Sequence, residues 1–502
     1  MKVEARVLAR RLPAGLDALA AYRALGNARE GTGLFEAPDG QRLAMGRACV
    51  RAEGRGGTVE LEALNPNGEA LLAVLESPAM AQRSAGRLLL DFAEPSSEDA
   101  SERLLGPQPL HALRVLLDAA AAPRGEPFGA LLLGVAGFDL AAWGEAMPAA
   151  AEADFPDFVF FVPDTLLTIA PGGAARLLCT AFGPDERHVN DAARRLEEGL
   201  AALSSPAPLD APPGAQDRSA AKWKGPAAFE PDLSDADFVA LVARLKEEIA
   251  AGEVYQIVPS RTFSGPCPDP LSAYARLRQA EPSSYRFFLA DRDWTLLGAS
   301  PETSVRLSAG GPGGRTVEVK PIAGTRPRGS SPDADDRLEG EMRLDGKELA
   351  EHMMLVDLAR NDVARVSLSG TRRVAKLLTV ERFARVMHLV SSVTGTLRPG
   401  LDAFDALAAC LNVGTLVGAP KIRAMQLLRA AEARRRGPYG GAIGWVAGNG
   451  QMDTAVVIRS ALVRGGIAEV RSGAGVVHDS VPQAEADETR AKASALLGVL
   501  GA

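Results

Sequence analysis

Strand-like and helix-like stretches follow one another along this 502-residue chain without the regular strand–helix–strand alternation of a doubly wound parallel sheet. That absence narrows the fold more than any other feature. Runs rich in β-branched and aromatic residues at 158–162 and 166–169 precede a helical pattern at 190–203, where Ala193, Leu196 and Leu200 share one face. Ser234 opens a further helix in the manner of a capping box, with Asp237 at the third position and Phe238, Leu241, Val242, Leu245 and Ile249 as its apolar stripe. Strands are predicted at 255–259, 286–290, 295–297, 316–319, 441–446, 454–462 and 467–470, and helices at 345–360 and 482–500. The pattern predicts an α+β fold of antiparallel sheets. A Pro-, Ala- and Ser-rich stretch at 204–225 is read as a linker dividing the chain near residue 215.

Charge and cysteine content exclude several classes of function. A formal charge of −7, with Lys and Arg scattered among acids, leaves no concentrated basic surface for nucleic acid. Arg434-Arg435-Arg436 is the one basic cluster and is read as a helix C-terminus. Cys49, Cys179, Cys267 and Cys410 form no C-x-x-C pair, so neither a zinc site nor a disulfide framework is expected. The first residues carry charges throughout, without the apolar run of a signal peptide. The longest apolar stretch, 129–143, is broken by Asp139 and too short to span a bilayer. A cytoplasmic location is the default expectation.

Two pairs of glutamates share one spacing: Glu348 with Glu351, and Glu485 with Glu488. Residues i and i+3 lie on one helix face, so each pair projects two carboxylates in one direction. Any single pair is what an ordinary solvated helix shows. Two such faces, however, can hold a hard cation such as Mg²⁺ and leave positions open for substrate oxygens. Lys492 continues the second face at i+7 from Glu485 and adds an ammonium group. Pro321 to Gly329 is read as a rigid loop in which Gly324 allows close backbone approach and Thr325 offers a hydroxyl. In Gly473-Ala474-Gly475, small residues would let backbone N–H groups meet a carboxylate. Each segment alone is equally a surface turn.

Read together, these segments resemble component I of anthranilate synthase, a chorismate-utilising enzyme family. The resemblance rests on AGEVYQIVPSR (251–261), GASPE (298–302), PIAGTRPRG (321–329), DGKELAEHMMLVDLARND (345–362), VMHLVS (386–391), GTLVGAPKIRAM (414–425), YGGAIGW (439–445), VIRSAL (457–462) and SGAGVVHDSVPQAEADETRAKA (472–493). These occur in family order over 225–500, with weaker similarity upstream at 67–72 and 156–158. The resemblance implies two facing, largely antiparallel sheets flanked by helices, with the N-terminal part intertwined with the C-terminal part. It divides the chain into an N-terminal region (1–205) carrying a regulatory-site half, a linker (206–225) and a chorismate-binding catalytic domain (226–500). The implied reaction is attack of ammonia on C2 of chorismate with loss of the C4 hydroxyl, then elimination of pyruvate to leave anthranilate.

The resemblance also assigns roles. Glu351 and Glu488 match direct Mg²⁺ ligands, with Glu348 and Glu485 in support. Gly324, Thr325, Thr415, Tyr439, Arg459, Gly473, Ala474, Gly475 and Lys492 match substrate-contacting positions, and an arginine can grip a carboxylate with two parallel bonds. Glu302 matches the acid that protonates the departing hydroxyl, and His388 the group tied to pyruvate elimination. Gln256 stands where water-adding relatives carry a lysine base, which ammonia does not need. Ala323 stands where aminodeoxychorismate synthases typically carry a nucleophilic lysine, favouring the ortho-amino product. No cysteine sits on a glycine-flanked elbow, so the ammonia source is expected to be a separate glutamine amidotransferase subunit, giving a hetero-oligomer.

Departures from the family pattern fall at its tryptophan feedback site. The matching residues are Glu36, Ala37, Ser284, Tyr285 and Arg286; Ala37 lacks a serine hydroxyl, and Arg286 puts a cation where an apolar chain would help fill an indole pocket. Weak or absent tryptophan inhibition is the expectation, which would suit anthranilate made for a secondary metabolite; whether the product feeds tryptophan biosynthesis or such a metabolite is left open by the sequence. Other readings are a 2-amino-2-deoxyisochorismate synthase without lyase activity, a silent chorismate- or tryptophan-binding regulatory subunit, and a Mg²⁺-dependent phosphoryl or prenyl transferase. The last would want aspartate-rich clusters and a phosphate-cradling loop, and neither is present.

Overall fold

The computed structural model describes residues 5–97, 99–121, 123, 125–148, 154–183, 185–204, 229–281, 283–311, 313–383 and 386–500. The predicted linker at 206–225 lies outside these residues, and Ser204 ends the helix Glu186–Ser204. Two antiparallel sheets form the body, and they share one long pair of strands, Arg42–Arg55 and Phe158–Ile169. The first sheet runs through Ser260–Pro266, Ile467–Gly473, Ser460–Arg464, Thr295–Ser300, Tyr285–Ala290 and Thr32–Glu36 to the front of the shared pair. It continues to Ala175–Ala181 and Arg6–Leu12. The second runs from the other end of the pair through Leu131–Ala136, Ala442–Ala447, Met452–Val456, Thr303–Leu307 and Thr316–Val319 to Val386–Thr396. Ile322–Pro327 and Arg373–Arg382 also pair with that last strand.

Side-chain alternation explains why the sheets face each other. Tyr285, Phe287 and Leu289 enter a core between the sheets, while Phe288 and Ala290 enter a second core under helices. Phe158, Phe160 and Val162 likewise point outward and Val159 and Phe161 inward, yet further along Leu166 points inward and Leu167 outward. The parity change coincides with register shifts opposite residues 163–165, and bulges of this kind let one strand serve two sheets with its apolar face still buried. Helices Ala18–Leu25, Glu186–Ser204, Pro270–Ala280 and Pro482–Leu500 cover the first sheet. Pro66–Ala73, His111–Ala119, Gly346–Val366 and Ala403–Cys410 cover the second.

Both halves of the chain contribute to both sheets. Thr32–Glu36 pairs with Tyr285–Ala290, and Leu131–Ala136 pairs with Ala442–Ala447, so the halves are intertwined. Several local expectations change. The strand predicted at 454–462 divides into Met452–Val456 and Ser460–Arg464, and that at 255–259 shortens to Gln256–Ile257. Arg434-Arg435-Arg436 lies beyond the helix Lys421–Ala431 and not at its C-terminus. The helix predicted at 345–360 is Gly346–Val366, capped by Asp345, whose carboxylate accepts from the N–H groups of Lys347 and Glu348. Ser234 caps Asp235–Ala250 through the Asp237 N–H, but its hydroxyl donates to the Asp237 carboxylate in place of the reciprocal backbone bond. The expected loop at 321–329 is largely strand, Ile322–Pro327; a register shift around Gly324, whose φ is +67°, interrupts the alternation that would have revealed it. Among the described residues, no helix is long and apolar enough to cross a membrane.

Candidate active site

A cleft of about 450 Å³ opens where Ile322–Pro327, Gly346–Val366, Val386–Thr396 and Pro482–Leu500 converge. It gathers residues from ten sequence neighbourhoods. Gln256, Glu302, Gly324, Thr325, Glu348, Glu351, His388, Thr415, Tyr439, Arg459, Gly473, Gly475, Glu485, Glu488 and Lys492 all line it. Ala474 does not: its side chain is fully buried and its N–H donates to the Pro259 carbonyl at 3.1 Å, which ties it into the strand junction. The N–H groups of neighbouring small residues therefore do not all turn toward one ligand, and spacing alone could not distinguish them.

Glu302 is buried, and desolvation pushes its carboxyl up to about 8 although Thr415 and, more weakly, Lys492 oppose the shift. The Thr415 hydroxyl lies 3.0 and 3.2 Å from its two oxygens. Near neutral pH this is a carboxylic acid with a proton to give. His388 is the complementary group. Burial lowers its pKa, the Gly324 carbonyl opposes that, and the nearby Arg459 charge adds to it. Its Nδ1 lies 3.0 Å from the Gly324 carbonyl oxygen, an acceptor only, so Nδ1 carries the proton and Nε2 keeps a free lone pair. Thr325 Oγ1 is 3.1 Å from the same nitrogen, and the Phe383 ring packs beside the imidazole.

The four glutamates line one cleft from two helices. Burial raises the pKa of Glu351, and repulsion from Glu348, Glu488 and Glu485 adds to it against the Lys347 charge; burial also raises that of Glu485. Glu485 Oε2 is buried without a hydrogen-bond partner. Lysines hold the outer pair, with Lys347 3.8 Å from Glu351 and Lys492 2.6 Å from Glu488. Among the described residues no three acidic or imidazole groups close around a single point in this conformation. A crowded all-oxygen set with one orphaned buried atom fits a hard divalent cation.

One contributor, Arg326, was not singled out from sequence. Arg326 bonds Glu348 at 2.9 Å and Asp345 at 3.0 Å, so one carboxylate of the first pair is already committed. Gly324 is favoured by its positive φ, and a Cβ there would stand 3.0 Å from Glu348 Oε2, at the end of a flexible side chain. Arg459 has a positive φ of 49° and no ion-pair partner among the described residues, leaving its guanidinium available to an anion. Lys492 also donates to the Gly473 carbonyl at 3.1 Å, which fixes its ammonium group in the cleft. Gln256 is buried with Oε1 unpartnered, while its Nε2 crowds Gly475, where a Cβ would sit 2.8 Å away.

The residues matched to a tryptophan site lie elsewhere. Glu36 is buried and saturated: Arg278 donates at 2.9 and 3.1 Å, Tyr274 at 3.1 Å and Arg286 at 3.3 Å. Ala37 is buried just beyond it, and Ser284 precedes the strand that carries Arg286. The Tyr285 hydroxyl is turned into the core between the sheets, donating to Asp453 at 2.8 Å.

The fold and this cleft define a chorismate-utilising enzyme: the sequence profile of the chorismate binding enzyme family matches residues 73–498, and the chain belongs to that family. Within it, the chain is a member of the anthranilate synthase component I group. It is 45% identical to anthranilate synthase component 1 of Escherichia coli (strain K12), over 91% of this chain and 88% of that one. It is 48% identical to the pyocyanine-specific anthranilate synthase component 1 of Pseudomonas aeruginosa, over 92% and 87%. Anthranilate synthase component I from Streptococcus pneumoniae TIGR4 shares the fold with a TM-score of 0.68 and 29% identity, over 91% and 92%. The menaquinone-specific isochorismate synthase of Escherichia coli, at 20% identity and a TM-score of 0.70 over 99% and 95%, shows the same fold.

Proposed function

We propose that this chain is the chorismate-converting subunit of an anthranilate synthase, turning chorismate and ammonia into anthranilate and pyruvate through 2-amino-2-deoxyisochorismate. The observation that carries this reading is the pairing in one cleft of a buried, protonated Glu302 with a neutral His388. Glu302 would donate its proton to the C4 hydroxyl as it leaves, and Thr415 keeps the carboxyl aimed. The unpartnered Gln256 Oε1 accepts an N–H and so suits ammonia, which needs orientation but no general base. His388 would then take the C2 proton on Nε2 as pyruvate departs. Arg459, Lys492, Tyr439 and Thr325 supply the donors for two substrate carboxylates.

Glu351 and Glu488, supported by Glu348 and Glu485, would hold Mg²⁺, which when bound neutralises the ring carboxylate of chorismate. Ammonia would come from a separate glutamine amidotransferase subunit. The four cysteines support this: all are buried, and burial raises each thiol pKa, which leaves no poised nucleophile among them. The saturated Glu36 further supports weak or absent tryptophan inhibition, because Arg286 already occupies its carboxylate. A product destined for a secondary metabolite is consistent with that loss.

One assay tests the reading. Chorismate, Mg²⁺ and ammonium at mildly alkaline pH should yield anthranilate fluorescence and equimolar pyruvate. Chorismate loss without fluorescence would indicate amination without elimination, and no turnover would sink the proposal in favour of a silent binding subunit.

A further inference from the structure

At one wall of the cleft a single carboxylate serves two buried guanidinium groups. Glu432 Oε1 accepts from Arg436 Nη2 at 2.7 Å, and Glu432 Oε2 accepts from Arg471 Nη2 at 2.8 Å. The side chains of Glu432, Arg436 and Arg471 are 5%, 2% and 10% exposed, so solvent screens their charges little. Their other partners are neutral. The Ser260 N–H and hydroxyl reach Glu432 Oε1 at 3.0 and 2.9 Å. Arg436 donates to the Leu416 and Val258 carbonyls, each at 2.6 Å, and Arg471 to Ser260 Oγ and the Arg435 carbonyl, each at 2.8 Å. Hydrogen bonding is thus satisfied while charge is not: two cations share one anion. The further acids near them are Asp232, exposed beside Arg471, and Asp139, which already pairs with Arg429.

The surplus charge sits behind Tyr439. The Arg436 guanidinium carbon lies 6.0 Å from the centroid of the Tyr439 ring. Tyr439 Oη lies against Gly473, where a Cβ would stand 3.1 Å away, and Gly473 is two residues beyond Arg471 on the strand Ile467–Gly473. Burial pushes the Tyr439 phenol up to about 12, and the charges of Arg436 and then Arg471 are the first to oppose that shift. Tyr439 is therefore a neutral O–H donor near neutral pH, with two cations close enough to act on its hydroxyl. We propose that the unbalanced charge of Arg471 is a positioning element for chorismate, drawing a substrate carboxylate onto the Tyr439 hydroxyl. Arg471 acts through Tyr439 and takes no part in bond making or breaking. The inference rests on the reading of the cleft as a chorismate site. It adds a charge that hydrogen-bond geometry alone would class as purely structural.

Arg471→Gln leaves Arg436 and Glu432 as a matched pair and removes the surplus charge. Its Kd for chorismate, read by calorimetry with Mg²⁺ and without ammonia, should rise about tenfold. KM should rise with it while kcat holds within about twofold. Arg471→Lys restores the charge without the planar fork and should recover most of the affinity. Equal affinity in Arg471→Gln and the wild-type protein overturns the inference. So does an Arg471→Lys variant as weak as Arg471→Gln, or a fall in kcat with KM unchanged, since either marks a structural role. Should Arg471→Gln fail to fold, Asp232→Asn decides: it keeps an acceptor for the Thr262 N–H, now 2.8 Å from Asp232 Oδ1, and removes the acid that offsets Arg471. Chorismate should then bind about twofold tighter, which structural damage would not produce, and equal or weaker binding overturns the inference. A wild-type protein that binds no chorismate fails the reading of the cleft itself, and the inference falls with it.

Discussion

In the proposed reaction, Glu302 and His388 would divide acid and base work by environment. Glu302→Gln should lower kcat about 10²- to 10⁴-fold with little change in KM, as read by pyruvate release. The pH dependence has a definite sign at each limb. With Glu302 as the acid, activity should require its protonated form and be lost as pH rises through about 8. With His388 as the base, it should require the neutral imidazole, whose pKa is depressed from the usual 6.5, and be lost only as pH falls below that ordinary value. A kcat profile at constant free ammonia concentration checks both; an alkaline limb near an ordinary carboxylate pKa would contradict the assignment. At this scale the sequence was informative about residue type. Glutamates, histidine and lysine stand in recognisable motifs, but nothing in PIAGTRPRG says that Arg326 reaches Glu348 across 22 positions, and nothing in Gly473-Ala474-Gly475 says that Ala474 turns its N–H away.

Elements hold these residues in place through buried polar contacts invisible to periodicity. His352, beside Glu351 on the glutamate-bearing helix, is fully buried, its pKa pushed down to about 4 by desolvation, and its Nε2 sits 2.6 Å from Ser391 Oγ on the strand that carries His388. Helix and strand are thereby keyed together. Behind Gly473 and Tyr439, buried Glu432 meets Arg436 at 2.7 Å, Arg471 at 2.8 Å and the Ser260 N–H at 3.0 Å. Glu432→Gln leaves two buried guanidinium groups short of charge and should destabilise the protein by about 3–5 kcal/mol in urea unfolding. The helices at 346–366 and 482–500 were legible because long apolar periodicity survives in them. Ile322–Pro327 was not, because its bulge breaks the two-residue alternation.

At the scale of the whole molecule, Glu36 and Arg286 join the two halves of the chain across 250 positions. Loss of one hydrogen-bond partner costs about 1–3 kcal/mol, or roughly 5- to 150-fold in affinity, so tryptophan should inhibit weakly or not at all. An inhibition constant in the low micromolar range would contradict this. The α+β class was legible from the order of elements, whereas the sharing of one strand pair by two sheets depends on bulges that only three dimensions reveal. Because both sheets draw strands from both halves, an engineered protease cut between residues 204 and 229 should leave the fragments associated on native size-exclusion chromatography and apart in denaturant.

The same interleaving governs how the chain reaches its fold during synthesis. The strand at 32–36 must wait for residues 285–290, and the strand at 131–136 for residues 442–447, so neither sheet can close until most of the chain has been made. Until then apolar strand edges stand open, which favours chaperone-assisted over spontaneous folding. Glu485 and Glu488 lie on the last described helix, which packs against Asp235–Ala250 and Ile467–Gly473. The cleft therefore cannot be completed before the strands and the helix that line it have been made.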